Sequence, residues 1–141
     1  MRVRTIALAG VLLLAACNSD RAGWARRGSY WKLEETPTIQ VRRGTQYVDR
    51  ATGELVVNWV GARALEGEIL SCSLVVFDDK DGDRRVDPGE ALASRESLER
   101  TKKILFDDVR VRPTPGARLR ARLELRTGEE TSVVVWDLVA G

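Results

Sequence analysis

The sequence predicts an all-β domain, a β-sandwich of about seven strands. Three observations carry that expectation. Apolar and polar residues alternate with a period of two over most of the chain after residue 30. Turn signals separate the alternating runs, and only one short stretch has helical character. The clearest run is residues 117–126, where Leu119, Ala121, Leu123 and Leu125 fall on one face and Arg118, Arg120, Arg122, Glu124 and Arg126 on the other. Such alternation marks a strand with one face in a core and one in water.

In chain order the expected strands are residues 37–42, 45–48, 54–60, 69–77, 103–112, 117–126 and 131–138. In the third, Leu55, Val57 and Trp59 face one way and Val56, Asn58 and Val60 the other. In the fourth, Leu70, Cys72, Leu74 and Val76 alternate with Ile69, Ser71, Ser73, Val75 and Phe77. Asp49 to Gly53, Pro113-Thr-Pro115-Gly116 and Thr127-Gly128-Glu-Glu130 supply turns between them. Residues 88–98 are the one helical candidate. Residues 30–141 are thus read as a single domain, immunoglobulin-like or transthyretin-like in outline, with a small barrel as the alternative architecture.

The amino end reads as an export tag. Arg2 and Arg4 precede an uncharged apolar run, residues 6–16, which ends in small residues. The run falls short of the roughly 20 apolar residues of a membrane span. Leu14-Ala15-Ala16-Cys17 resembles the lipobox of bacterial lipoproteins. That resemblance implies a signal peptide over 1–16 and cleavage before Cys17. It also implies a diacylglyceryl group on the Cys17 sulfur and acylation of the new amine, with palmitate as the expected fatty acid. The expected location is then the cell envelope, with the chain held to a membrane by lipid. Asn18 stands where Asp, in many Gram-negative bacteria, favours retention in the inner membrane, so the resemblance implies the outer membrane. Residues 17–29, with two glycines and no periodicity, read as a tether.

Composition narrows the function classes. Arg2 and Arg4 belong to the leader, so the 23 basic residues of the whole chain become 21 after it, matching the 21 acidic ones. A neutral chain has no electrostatic case for nucleic acid. The sequence has no histidine, which removes the usual general base, zinc ligand and pH switch. With Cys17 lipidated, Cys72 is the one remaining thiol, and its apolar run suits a small buried hydrophobe.

The most chemical stretch is Asp79-Lys-Asp81-Gly-Asp83-Arg-Arg-Val86-Asp87-Pro-Gly-Glu90. In a twelve-residue frame its carboxylates occupy positions 1, 3, 5, 9 and 12. It resembles the EF-hand and dockerin calcium loops. The resemblance implies Asp79, Asp81, Asp83 and Glu90 as calcium ligands, with Asp87 acting directly or through water and Arg85 supplying its backbone carbonyl. Val86 would anchor the loop to the core. Calcium, a hard cation, takes 6–8 oxygens at roughly 2.3–2.6 Å. Arg84 stands at the position where the family has glycine, and a left-handed arginine there would cost about 1–2 kcal/mol. The loop also leaves a strand, not a helix, which argues against a paired-helix switch. The competing reading has no ion: Asp81-Gly82 as a plain turn, and Asp87-Pro-Gly-Glu90 as a helix cap.

Arg118, Arg120 and Arg122, expected beside Arg110 and Arg112, offer a face for an anionic protein or glycan partner, or a merely solvated surface. Trp31, Trp59 and Trp136 are expected in the core. Without histidine or a phosphate-binding loop, catalysis would fall to acids such as Asp107, Asp108 and Asp137. The expectation is therefore a non-catalytic, calcium-stabilised envelope lipoprotein. A calcium-independent interaction module using the arginine face and a small carboxylate-based glycan hydrolase are the alternatives.

Overall fold

The computed structural model describes residues 30–138. The leader, Cys17 and the tether lie outside the described residues. The strands belong to one compact unit, Trp31–Gly141. They are β1 (Trp31–Glu35), β2 (Ile39–Arg43), β3 (Gln46–Val48), β4 (Leu55–Ala64), β5 (Ile69–Asp78), β6 (Ala91–Ser97), β7 (Lys103–Val111), β8 (Leu119–Thr127) and β9 (Thr131–Asp137). No helix occurs among the described residues.

Two antiparallel sheets face each other as a β-sandwich. In the first, β4 is bonded to β2 and β3 along successive lengths and to β7, with β1 outside β2. The second has the order β6-β5-β8-β9. Ile39, Val41, Leu55, Val57, Val60 and Val109 of one sheet meet Cys72, Leu74, Val76, Ala121, Leu123 and Trp136 of the other in a continuous buried cluster. The β8 alternation holds as expected: Leu119, Ala121, Leu123 and Leu125 are all buried. Cys72 is buried, and burial pushes its thiol up to about 12, so it behaves as a core hydrophobe.

The helix expected over residues 88–98 is not there. Glu90 N–H donates to Asp87 O at 3.1 Å, and Gly89 has φ 85°, which makes Asp87 to Glu90 a tight turn of the kind with Pro second and Gly third. β6 follows and pairs with β5. Residues 91–97 read Ala-Leu-Ala-Ser-Arg-Glu-Ser, and their pairing in the sheet overrides a weak local preference. β1 escaped the sequence reading for a related reason: at the sheet edge it exposes most of its side chains, so it shows no alternation. These two edge strands raise the count from the expected seven to nine among the described residues.

β4 also departs from its expected phase. Leu55 and Val57 face the core, but so do Val60, Ala62 and Ala64, so the strand changes faces between residues 57 and 60. β7 changes faces at the opposite point, from Phe106 to Val109, where Asp108 has φ 53°. Trp59 is buried, yet it lies outside the core cluster and packs on Gly44, the residue that interrupts the line of β2 and β3. Trp136 is a core residue as expected, whereas Trp31 is exposed, with the Arg43 guanidinium 4.7 Å from its ring centroid. Arg110 belongs to β7 of the first sheet, its side chain bonded to Asp49 (2.9 Å), Asp108 (3.0 Å) and Glu54 (3.3 Å). It therefore does not join Arg118, Arg120 and Arg122, because β7 and β8 belong to different sheets.

A methyl group on Gly44 would run into the Trp59 indole. Gly44→Ala is expected to lower stability by about 1–3 kcal/mol, as overpacking does. Urea denaturation checks this, and an unchanged midpoint would contradict it.

Candidate metal centre

The acidic loop is fixed at its base by the β5–β8 pairing. The ladder ends with Asp78 opposite Leu119 and runs one step further, since Asp79 N–H donates to Arg118 O at 2.8 Å. The Asp78 carboxylate accepts the Arg118 amide at 3.0 Å, and Asp78 N–H donates to Glu90 O at 3.0 Å, so the two ends of the loop meet. Between these ends the chain turns through left-handed backbone at Gly82 (φ 74°) and Arg84 (φ 62°). The arginine expected to take the strained position does so.

What holds that conformation is a set of bonds to Asp79 and to β9. Arg84 N–H donates to Asp79 Oδ2 at 2.9 Å. The Arg84 guanidinium bonds Val135 O at 2.9 Å and Asp137 at 3.4 Å. Asp83 N–H and Arg85 N–H donate to Asp81 Oδ1 (3.3 Å) and Asp83 Oδ1 (2.9 Å), which winds the loop tightly.

Asp79 is the centre of the site. It is 0% exposed, an unusual place for a carboxylate. Its Oδ2 takes the Arg84 amide and Arg120 Nε, the latter at 2.7 Å. Its Oδ1 is buried without a hydrogen-bond partner. Burial works against its ionisation, but the Arg84 amide, the Arg120 guanidinium and the adjoining Asp81 carboxyl outweigh that and hold it below the usual carboxylate range. An ionised, buried oxygen without a donor is a strong acceptor that a cation could satisfy.

The acids of the loop form two groups that overlap at Asp81. One carboxylate oxygen each from Asp79, Asp81 and Asp83 lies within 4.8 Å of the others, and the same is true of Asp81, Asp87 and Glu90. Asp81 belongs to both triads. Glu90 is nearly buried, and its two oxygens accept the amides of Asp87 (2.9 Å) and Lys80 (3.1 Å). A carboxylate has about four lone-pair sites, so Glu90 keeps some for another partner. The Asp87 carboxyl is pushed up to about 6 by its hydrogen bond with Asp81, by desolvation and by the charges of Asp81, Asp83 and Glu90. That is the mark of carboxylates held close to one another. The cluster could hold a metal ion, and its donors are all oxygen.

The site residues expected from the sequence come together in part. Asp79, Asp81 and Asp83 form one triad and Asp81, Asp87 and Glu90 another; Arg85 is exposed and contributes its amide to the winding of the loop. Val86 is half-buried against the outer face of the second sheet, not in the core between the sheets. Of the arginine face, Arg118 lies against Gly82, Arg122 pairs with Glu124 at 3.0 Å, and Arg120 turns to Asp79 and Asp137. Arg120 as the partner of Asp79 was not anticipated, since 41 residues separate them. The contact follows from the β5–β8 register, which sets Arg120 opposite Phe77, two residues before Asp79, and which local sequence does not carry.

Arg120→Ala would leave Asp79 buried with one fewer donor. Its melting temperature in chelator is expected to fall further than that of Arg126→Ala, an exposed arginine on the same strand. Equal falls would contradict the role given to Arg120. Comparison of the chain with protein-family models, with curated proteins and with solved structures returned no match.

Proposed function

We propose that this protein is a non-catalytic envelope lipoprotein whose β-sandwich is stapled by calcium and carried on a lipid anchor at Cys17. The observation that carries the metal half is Asp79 Oδ1, a fully buried carboxylate oxygen without a donor, beside two carboxylate triads that share Asp81. Oxygen-only donors favour a hard cation over zinc or copper. Calcium suits the site better than magnesium, because five carboxylates on a bent loop offer many oxygens and a flexible geometry. Asp79, Asp81, Asp83 and Glu90 would bind directly, Asp87 directly or through water, and Arg85 by its carbonyl. The ion would relieve the repulsion that raises the Asp87 carboxyl and would hold β5, β6 and β8 together at one end of the second sheet.

The anchoring half rests on Leu14-Ala15-Ala16-Cys17. The work proposed for the domain is binding or structural. The absence of histidine from the sequence, and the engagement of Asp79 and Glu90 by backbone amides, support that over acid–base chemistry. The partner classes are an envelope protein or a glycan, with Arg118, Arg120 and Arg122 as a secondary surface.

Calorimetry on the chain from residue 17 is expected to show calcium binding with Kd of about 10⁻⁴–10⁻³ M. Asp81→Asn should abolish the heat and the accompanying rise in melting temperature. Absence of both in the unsubstituted chain would remove the metal reading. Intact mass of the native protein tests the anchor: a chain starting at Cys17 and heavier by its acyl groups is expected, and an unmodified cysteine would contradict it.

A further inference from the structure

The outer face of the second sheet carries a groove of about 510 Å³ beside the acidic loop. Its floor is Val75 of β5 with Val133 and Val135 of β9, and its cationic side chains are Arg84 and Arg85 of the loop and Arg122 of β8. Val133 is exposed at 48%, a large apolar side chain left in water on an edge strand. We infer that this groove, once the loop holds its divalent ion, is a docking site for the anionic surface of a phospholipid bilayer. The inference rests on the metal reading given above.

Charge complementarity selects the occupant. Arg84 is held by Val135 O and Asp137 and Arg122 pairs with Glu124 through one nitrogen, so Arg85 and the remaining donors of Arg122 beside the valine floor are what suit a phosphate diester with its first methylenes, the floor taking apolar carbon. A sugar would want aromatic faces and varied polar groups, whereas this groove is lined by valine and arginine alone. A peptide strand adding to β9 would need the outward carbonyl of Val135, which the Arg84 guanidinium already occupies.

The loop makes the site depend on metal. Its five carboxylates outnumber Lys80, Arg84 and Arg85 by two. Without a cation those acids sit beside the groove and repel an anion; a divalent ion brings the loop to neutrality, and the local field is then set by the arginines that line the groove. The ion also fixes the loop that presents Arg84 and Arg85.

The test is co-sedimentation of the chain from residue 17, carrying Cys17→Ser so that no acyl group intervenes. Vesicles of phosphatidylcholine alone are compared with a roughly 3:1 phosphatidylcholine–phosphatidylglycerol mixture, each in about 1 mM calcium or in chelator. Binding is expected only to the phosphatidylglycerol vesicles and only with calcium. Arg122→Glu should weaken it about fivefold or more, and adding Val133→Asp should weaken it further, both with calcium heat unchanged. Calcium heat without vesicle binding overturns this inference and leaves the metal reading standing. Absence of calcium heat overturns the metal reading itself. Vesicle binding equal in chelator, equal on pure phosphatidylcholine or unaffected by the two substitutions overturns the inference, as does capture of polyglutamate in place of vesicles.

Discussion

A carboxylate without solvent contact governs this end of the molecule. Asp79 stands one residue past the end of β5, where the strand pairing with β8 places it below the Arg120 side chain. Two cationic or donor groups meet one of its oxygens, and none meets the other. Placing an ionised group there is costly unless its charge is matched. The left-handed turn at Arg84, the closure of the loop by Glu90 and the inward turn of Arg120 all serve that match from one side. The unmatched oxygen is where the proposed divalent ion would supply a second positive charge. The same ion would ease the repulsion within the two carboxylate triads that share Asp81.

The arginines of β8 and the acids of the loop therefore form one electrostatic unit. Arg120 joins Asp79 to Asp137, Arg84 joins the loop to β9, and Arg118 lies against Gly82. The outer face of the second sheet is held by these charges where the inner face is held by leucine, valine and tryptophan. A divalent ion would change the balance of the whole patch, because it would add two positive charges where the acids outnumber the bases.

Much of the fold was legible because buried strands declare themselves. β8 buries alternate residues without interruption, and its pattern reads directly from the chain. β5 reads nearly as well, except that an irregularity between Ile69 and Ser71 turns Ile69 inward. The two strands that stayed hidden, β1 and β6, lie at sheet edges, where neither face is covered enough to impose alternation. The face change in β4 was hidden too, since it depends on Asp108 in β7 and on the contact of Gly44 with Trp59, which local sequence does not encode. The five carboxylates of the loop were readable from their spacing. The salt bridge to Arg120 was not, because it arises from strand register. Reading Asp87-Pro-Gly-Glu90 as a helix cap had the right hydrogen bond, Glu90 back to the Asp87 amide, but the turn leads into a strand.

The most direct test of the central claim is diffraction from crystals grown with calcium and exchanged into strontium, read by anomalous scattering. An anomalous peak in coordinating contact with Asp79 Oδ1, about 2.3–2.6 Å away for calcium, and shared by Asp81, Asp83 and Glu90, is the result expected. A water hydrogen-bonded to Asp79 Oδ1, with no anomalous signal at the loop, would contradict it.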